Sequence, residues 1–212
     1  MKQLDNDLKV FYLDNYVLAV EKPSGIPTQK ALTGISLEEK AKEFLKNKFN
    51  KKGEVFLHPV HRLDKPVSGI VLFARTSKAL SRLNKQLREH QIKRIYLAKV
   101  KGHLQDKKGC LKHHIVKKSF KSVIDSSGKL AVLSYEVVKE EKEFSFLKIE
   151  LETGRYHQIR AQLSYIGHPI VGDEKYGSEE KNSRLMLHHY QMQFTHPISN
   201  ELIEITSDSF FI

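Results

Sequence analysis

Apolar positions along the chain change their spacing several times, and each change marks an element. Residues 8–13 (LKVFYL) and 17–22 (VLAVEK) are short apolar stretches on either side of Asp14-Asn15, which predicts two strands joined by a turn. Pro23, Gly25 and Pro27 then forbid regular structure. Ser36 and Glu39 form an S-x-x-E capping box, and Leu37, Ala41, Phe44 and Leu45 share one helical face, so a helix is predicted from about 36 to 49. Gly69 to Arg75 reads as a buried strand. Ser77 is placed to cap a second helix whose Leu80, Leu83 and Leu87 face the core, leaving Lys78, Arg82, Lys85 and Arg88 outward. Strand-like runs recur at 94–101, 131–138 and 144–151, a third helix runs from near Tyr156 to Gly167, and strands at about 185–195 and 202–206 close the chain. Runs of strands broken by single helices predict an α+β fold on a mixed, mainly antiparallel sheet with flanking helices and loops. With no internal repeat and no linker, residues 1–212 read as one domain with room for two lobes.

Composition adds one thing to this picture. With 40% apolar and 29% charged residues the chain is ordinary globular material, which argues against disorder, but 36 Lys plus Arg against 25 Asp plus Glu gives +11. A polyanionic partner is the first suspect. The longest purely apolar run is Ile70 to Ala74, far short of the roughly 20 residues a membrane span needs. Asp5 and Asp7 interrupt any secretory signal, and the single Cys110 has no intrachain partner, so a soluble, reducing, cytoplasmic setting is expected.

The chemistry is narrowed first by what is missing: there is no G-x-x-x-x-G-K-[ST] loop, no G-x-G-x-x-G turn, no C-x-x-C pair and no H-E-x-x-H helix. Reactive side chains concentrate in His58-Pro59-Val60-His61-Arg62-Leu63-Asp64-Lys65-Pro66-Val67-Ser68-Gly69, just ahead of an apolar strand. Three readings of this cluster stand open. His58, His61 and Asp64 offer metal ligands, although Pro59 and Pro66 disfavour a ligand-presenting helix. Asp64 also reads as a capping or salt-bridged loop carboxylate beside Arg62 and Lys65. The third reading is a nucleophilic carboxylate kept ionised by nearby cations. In a second cluster, Thr153-Gly154-Arg155-Tyr156-His157-Gln158-Ile159-Arg160, Gly154 permits a sharp turn into the third helix, so that Arg155, His157 and Arg160 surround its first turn, where free backbone N–H groups favour an anion. The same residues also read as a solvated cationic face. A third cluster, Lys93 to Lys101 (KRIYLAKVK), puts Tyr96 and Ala98 on one strand face and Ile95, Leu97 and Lys99 on the other. His113-His114 and His188-His189 read as structural.

Taken in order, H-R-L-D-K-P-V-S-G, then K-R-I-Y-L-A-K-V about thirty residues on, then T-G-R-Y-H-Q-I-R and G-H-P-I-V-G-D-E-K-Y-G, resemble the RluA-type family of RNA pseudouridine synthases. VLAVEKPSGIPTQ and LMLHHYQMQFTHPISNELIEI resemble that family's first and last motifs, so the likeness covers roughly residues 10–206. One departure is visible: Val67 stands where the family pattern H-R-L-D-x-x-T-S-G has Thr.

The resemblance implies a catalytic domain with no S4-like RNA-binding module ahead of Leu8, isomerising a uridine in ribosomal or transfer RNA to pseudouridine. Asp64 is then the essential carboxylate and Tyr96 the aromatic residue that stacks on the uracil. Arg160 is the cation opposite the carboxylate, and Arg62 helps to extrude the target nucleotide. His61 shapes the loop or contacts RNA. The reaction changes no redox state and hydrolyses nothing, so neither cofactor nor metal is implied. RNA is the implied partner, with no membrane and no protein partner, and the chain is expected to be a monomer. Between Arg75 and Lys101 nine Lys or Arg residues face only Glu89, and the backbone contacts are assigned to Lys78, Arg82, Lys85, Arg88 and Arg155. The rival readings are a catalytically idle RNA-binding protein on the same scaffold and a metal-dependent nuclease using His58, His61 and Asp64. The remaining basic residues, over 40–52 and 107–121, have no assignment.

Overall fold

Asp14 makes the first turn: its Oδ1 accepts the N–H groups of Tyr16 and Val17 at 2.8 and 2.7 Å, folding β1 (Val10–Leu13) antiparallel onto β2 (Val17–Lys22). In this computed structural model residues 8–29, 34–180 and 183–211 are described, and they form two compact units. The first comprises the chain up to Gln91 together with Phe194–Ile205; the second comprises Ile92–Gln193 and the residues from Thr206 onward.

In the first unit, Ser36 caps α1 (Leu37–Lys48) as the sequence predicts: Glu39 N–H donates to Ser36 Oγ, and Ser36 N–H to Glu39 Oε2. The two-residue strand β3 (His58–Pro59) and all of β2 pair with β4 (Ser68–Ala74), every residue of which is buried. That explains its unbroken apolar run: neither face meets water. The helix α2 (Ser77–Arg88) is capped by Thr76, whose Oγ1 accepts the Ala79 N–H, so Ser77 is its first residue and not its cap. Its buried side is Ala79 and Leu83, with Leu80 and Leu87 only half-buried. The carboxamide of Gln86 exchanges two hydrogen bonds with the backbone of Thr195, tying the helix down.

The second unit is a run of antiparallel strands: β5 (Lys93–Lys101), β6 (Lys108–Lys118), β7 (Lys121–Ile124), β8 (Lys129–Glu141) and β9 (Phe144–Leu151), paired in the order β5-β9-β8-β6-β7. The sequence reading missed β6 and β7. The inward positions of β6 are Leu111, His113 and Ile115, and the histidine breaks the apolar alternation that announces a strand. The third helix, α3 (Gln158–Tyr165), packs beside β6 and β7. Its buried polar residues answer backbone carbonyls: Gln158 Nε2 donates to Val132 O at 3.1 Å and Gln162 Nε2 to Leu111 O at 3.1 Å. Next comes β10 (Leu187–Thr195), whose residues up to Gln193 pair antiparallel with β5, and finally β11 (Leu202–Thr206). No helix among the described residues is long and apolar enough to cross a membrane. The α+β class and mainly antiparallel pairing agree with the sequence reading.

Candidate active site

Asp64 sits in the loop that joins β3 to β4, and its backbone is held from both sides. The Thr28 hydroxyl accepts the Leu63 N–H at 3.1 Å and donates to the Leu63 carbonyl at 2.9 Å. On the other flank, Gly25 N–H and Lys22 Nζ donate to Lys65 O at 2.9 and 3.0 Å, and Ser24 Oγ donates to Pro66 O at 2.7 Å. Lys22 is fully buried, and its ammonium also reaches the carbonyls of Pro23 and Ile26. A buried cation surrounded by carbonyl dipoles is stable where a bare one is not. The segment of residues 22–28, which Pro23, Gly25 and Pro27 keep out of regular structure, is therefore the mount of the Asp64 loop.

Within the loop, Val67 N–H donates to Asp64 O at 3.0 Å and closes a turn. This closure is made by backbone alone, so Val67, buried at 3% exposure, supports it without the hydroxyl of the family's Thr. His61 turns its ring to β4, where Nε2 accepts the Leu72 N–H at 3.2 Å, a bond that requires the proton on Nδ1. This bond ties the start of the loop to β4. The Asp64 side chain is half-buried. Arg62 is exposed and has no ion-pair or hydrogen-bond partner among the described residues. No group of three His, Cys, Asp or Glu side chains among the described residues is arranged to hold a metal, which leaves the His58, His61 and Asp64 ligand set without support.

On α2, Lys78, Lys85 and Arg88 are exposed, while Arg82, also exposed, spends Nη1 on the carbonyl of Pro197.

The second unit carries the other predicted residues. Tyr96 on β5 lies directly across from His189 on β10, and the two rings stack at 4.5 Å and 15°. Tyr96 is 5% exposed and His189 is fully buried. The sequence reading set His189 aside as structural and did not link it to Tyr96; the link needs the strand register, which pattern alone does not supply. Its neighbour His188 bonds Ser207 Oγ at 3.1 Å.

Arg160 is buried on α3 and gripped by Asp173: Nε and Nη2 donate to the two carboxylate oxygens, each at 2.7 Å. Its guanidinium also lies 5.0 Å from the centre of the Tyr176 ring. Tyr176 Oη contacts His157 Nδ1 at 2.9 Å and accepts the Ser122 N–H at 2.7 Å. Asp173 and Tyr176 both belong to the G-D-E-K-Y-G motif. Gly172 in that motif has φ +79, and an added Cβ would stand 2.4 Å from the Arg184 carbonyl, so only glycine fits.

Two expectations fail here. The helix begins at Gln158, and the sharp turn into it falls at His157, at φ 52, not at Gly154. Arg155 consequently lies outside the first turn; it is exposed and donates Nε to the Leu130 carbonyl at 2.9 Å. Arg94, in the KRIYLAKVK strand, is buried with Nη2 on the carbonyls of Leu151 and Glu152, and burial pulls its guanidinium below its ordinary pKa.

Comparison with known proteins fits these motifs. A family profile described as RNA pseudouridylate synthase matches residues 16–165. An uncharacterized RNA pseudouridine synthase of Bacillus subtilis is 35% identical over 207 residues, covering 93% of this chain and 67% of that protein. A tRNA pseudouridine synthase C of Haemophilus influenzae is 31% identical, covering 94% of this chain and 92% of that protein. A ribosomal large subunit pseudouridine synthase C of Buchnera aphidicola is 33% identical, with 93% and 66% covered. The fold is similar to that of the human RNA pseudouridylate synthase domain containing 1 protein, with a TM-score of 0.81 at 24% identity over 100% of this chain and 88% of that one. With its family profile spanning most of the chain, its motifs in order and its fold alike, the chain belongs to the RNA pseudouridine synthase family of the RluA type, isomerases that convert uridine to pseudouridine in RNA.

Proposed function

We propose that Asp64 is the essential catalytic carboxylate and that the target is a uridine in transfer or ribosomal RNA, the two substrate classes named among the relatives. The observation that carries this reading is the mount described above. Peptide groups on both sides of Asp64 are fixed by Lys22, Ser24, Gly25 and Thr28, while the carboxylate itself is only half-buried. A reactive group held in one position while still open to substrate is what covalent or electrostatic catalysis requires.

The chemistry then runs as follows. The N1–C1′ glycosidic bond breaks as the Asp64 carboxylate attacks or stabilises the electron-poor sugar carbon. The detached uracil turns, and C5 bonds to C1′ as the carboxylate is released from that carbon. The C5 proton leaves to a base, a task the same carboxylate can perform, and N1 takes up a proton, so that the product is an isomer of the substrate. A stacked or paired uridine must first leave its helix, and the exposed, unengaged Arg62 is assigned to that extrusion. Tyr96, its ring fixed against His189, is assigned to stacking on the uracil, and Arg160, its fork oriented by Asp173, to the substrate's charge. Lys78, Arg82, Lys85, Arg88 and Arg155 contact the RNA backbone, Arg82 and Arg155 with part of their donors already engaged. Residues 1–212 act as one catalytic domain, as a monomer in the cytoplasm.

The test is to map pseudouridines in all RNAs of a strain lacking this gene against its parent. A site that disappears and returns with the wild-type gene, but not with Asp64→Asn, names the substrate and supports the role of Asp64. Restoration by Asp64→Asn overturns that role.

A further inference from the structure

The basic run at 107–121 holds six lysines and no carboxylate, and the structure folds it into the β6–β7 hairpin. Lys107 and Lys108 are answered by Glu140 and Glu136, and Lys118 approaches Asp125 only to 4.0 Å. Lys112 and Lys121 have no carboxylate partner among the described residues. At the tip, Lys118 and Lys121 are paired directly across the two strands, a like-charge juxtaposition that costs stability. Between them the chain turns through Ser119, at φ 43, and Phe120, which is 77% exposed. A large apolar ring in water between opposed lysines contributes nothing to the fold that holds it.

The hairpin is nevertheless firmly seated. Ser122 donates its N–H to Tyr176 Oη and its hydroxyl to the Tyr156 carbonyl, and Lys175 Nζ donates to the Phe120 carbonyl at 3.1 Å. Lys117 Nζ lies 4.7 Å from the centre of the Tyr156 ring, itself 38% exposed. The tip is thus fastened to the T-G-R-Y-H-Q-I-R and G-D-E-K-Y-G motifs, through residues of the second unit alone.

We infer that the β6–β7 tip is an RNA-docking finger: Phe120 stacks on an unpaired base, and Lys118 and Lys121 take the phosphates beside it, with Lys117 adding charge next to Tyr156. Aromatic stacking beside cations is the chemistry of single-stranded RNA binding, and phosphates convert the opposed lysines from a cost into an attraction. An anionic membrane would meet the same charges, but one phenylalanine gives it little apolar surface to bury. The inference rests on RNA being the substrate, and it adds a contact that none of the catalytic motifs supplies.

The test measures fluorescence anisotropy of a labelled single-stranded 20-mer of uridine with the full chain, for wild type, Phe120→Ala and Lys118→Gln/Lys121→Gln, across a potassium chloride series. The melting temperature of each variant checks that it is folded. Phe120→Ala should weaken binding about 5- to 100-fold. It should weaken an RNA duplex of equal length much less. The double lysine variant should flatten the slope of log K against log salt by about 1.4. Unchanged affinity in Phe120→Ala with an unchanged slope in the double variant overturns the finger. So does a loss in Phe120→Ala confined to phosphatidylglycerol vesicles, which assigns the tip to a membrane. Pseudouridine formation by the wild type is assayed in parallel on bulk RNA. If it is absent while Phe120 still governs RNA binding, the proposed activity falls and the finger stands.

Discussion

Among the buried cations, Lys22 of the first unit and Arg160 of the second are satisfied by different means, and the difference shows what each one holds in place. Lys22 is answered by three carbonyl dipoles, those of Pro23, Ile26 and Lys65, so it fixes a backbone path. Arg160 is gripped by both carboxylate oxygens of Asp173, so Asp173 fixes a side chain. The first arrangement spreads over several separate carbonyls and fails gradually, one hydrogen bond at a time. The second balances two desolvated charges and fails at once when either is removed.

That contrast can be broken in order of expected effect. Asp173→Ala removes the carboxylate that grips the buried Arg160 guanidinium and should lower stability by about 3–5 kcal/mol in urea titration. Loss of under about 1 kcal/mol would mean that the pair is not the strut described here. Lys22→Met preserves the volume but takes a donor from three carbonyls, that of Lys65 keeping the Gly25 N–H, and about 2–4 kcal/mol should be lost. If Lys22→Met matches or exceeds Asp173→Ala, the distinction between dipole and ion-pair mounting fails. Thr28→Val removes one hydroxyl that serves both polar groups of Leu63, and should cost about 1–2 kcal/mol. Its kcat should fall more than its RNA affinity, with Thr28→Ser restoring both, because the damage lies in where Asp64 is held.

The smallest effect concerns pH. Burial pushes the His113 imidazole below its ordinary pKa, so the folded state resists a proton that the unfolded chain accepts. Its stabilising contribution is therefore present above the unfolded value, near 6.5, and is lost as pH falls below it. His113→Gln should flatten the decline of melting temperature between pH 7 and pH 5 slightly. An unchanged decline removes His113 from the acid response.

What was legible in the sequence follows the range of the interactions. The capping box at Ser36 and Glu39, the buried run at Ile70–Ala74 and the Asp64 loop are local patterns, and each was found where it was read. The helix cap moved from Ser77 to Thr76 because adjacent hydroxyl residues offer the same signal. The start of the third helix was read two residues early because His157 adopts a left-handed backbone that a non-glycine residue seldom takes. The Lys22, Ser24 and Thr28 contacts span 35 to 43 residues of chain, beyond the reach of any periodicity. A signal did exist: a segment barred from regular structure by two prolines must send its carbonyls to some donor, and Lys22 was the cation beside them.

The central claim is that Asp64 performs the chemistry in a loop held from both sides. It is tested most directly by release of tritium from RNA labelled at uridine C5, comparing wild type with Asp64→Asn while RNA binding is followed by anisotropy. The account predicts release by the wild type, none above the blank for Asp64→Asn, and equal RNA affinity for the two. Release by Asp64→Asn within about tenfold of wild type, a barrier change of only about 1.4 kcal/mol, would contradict it.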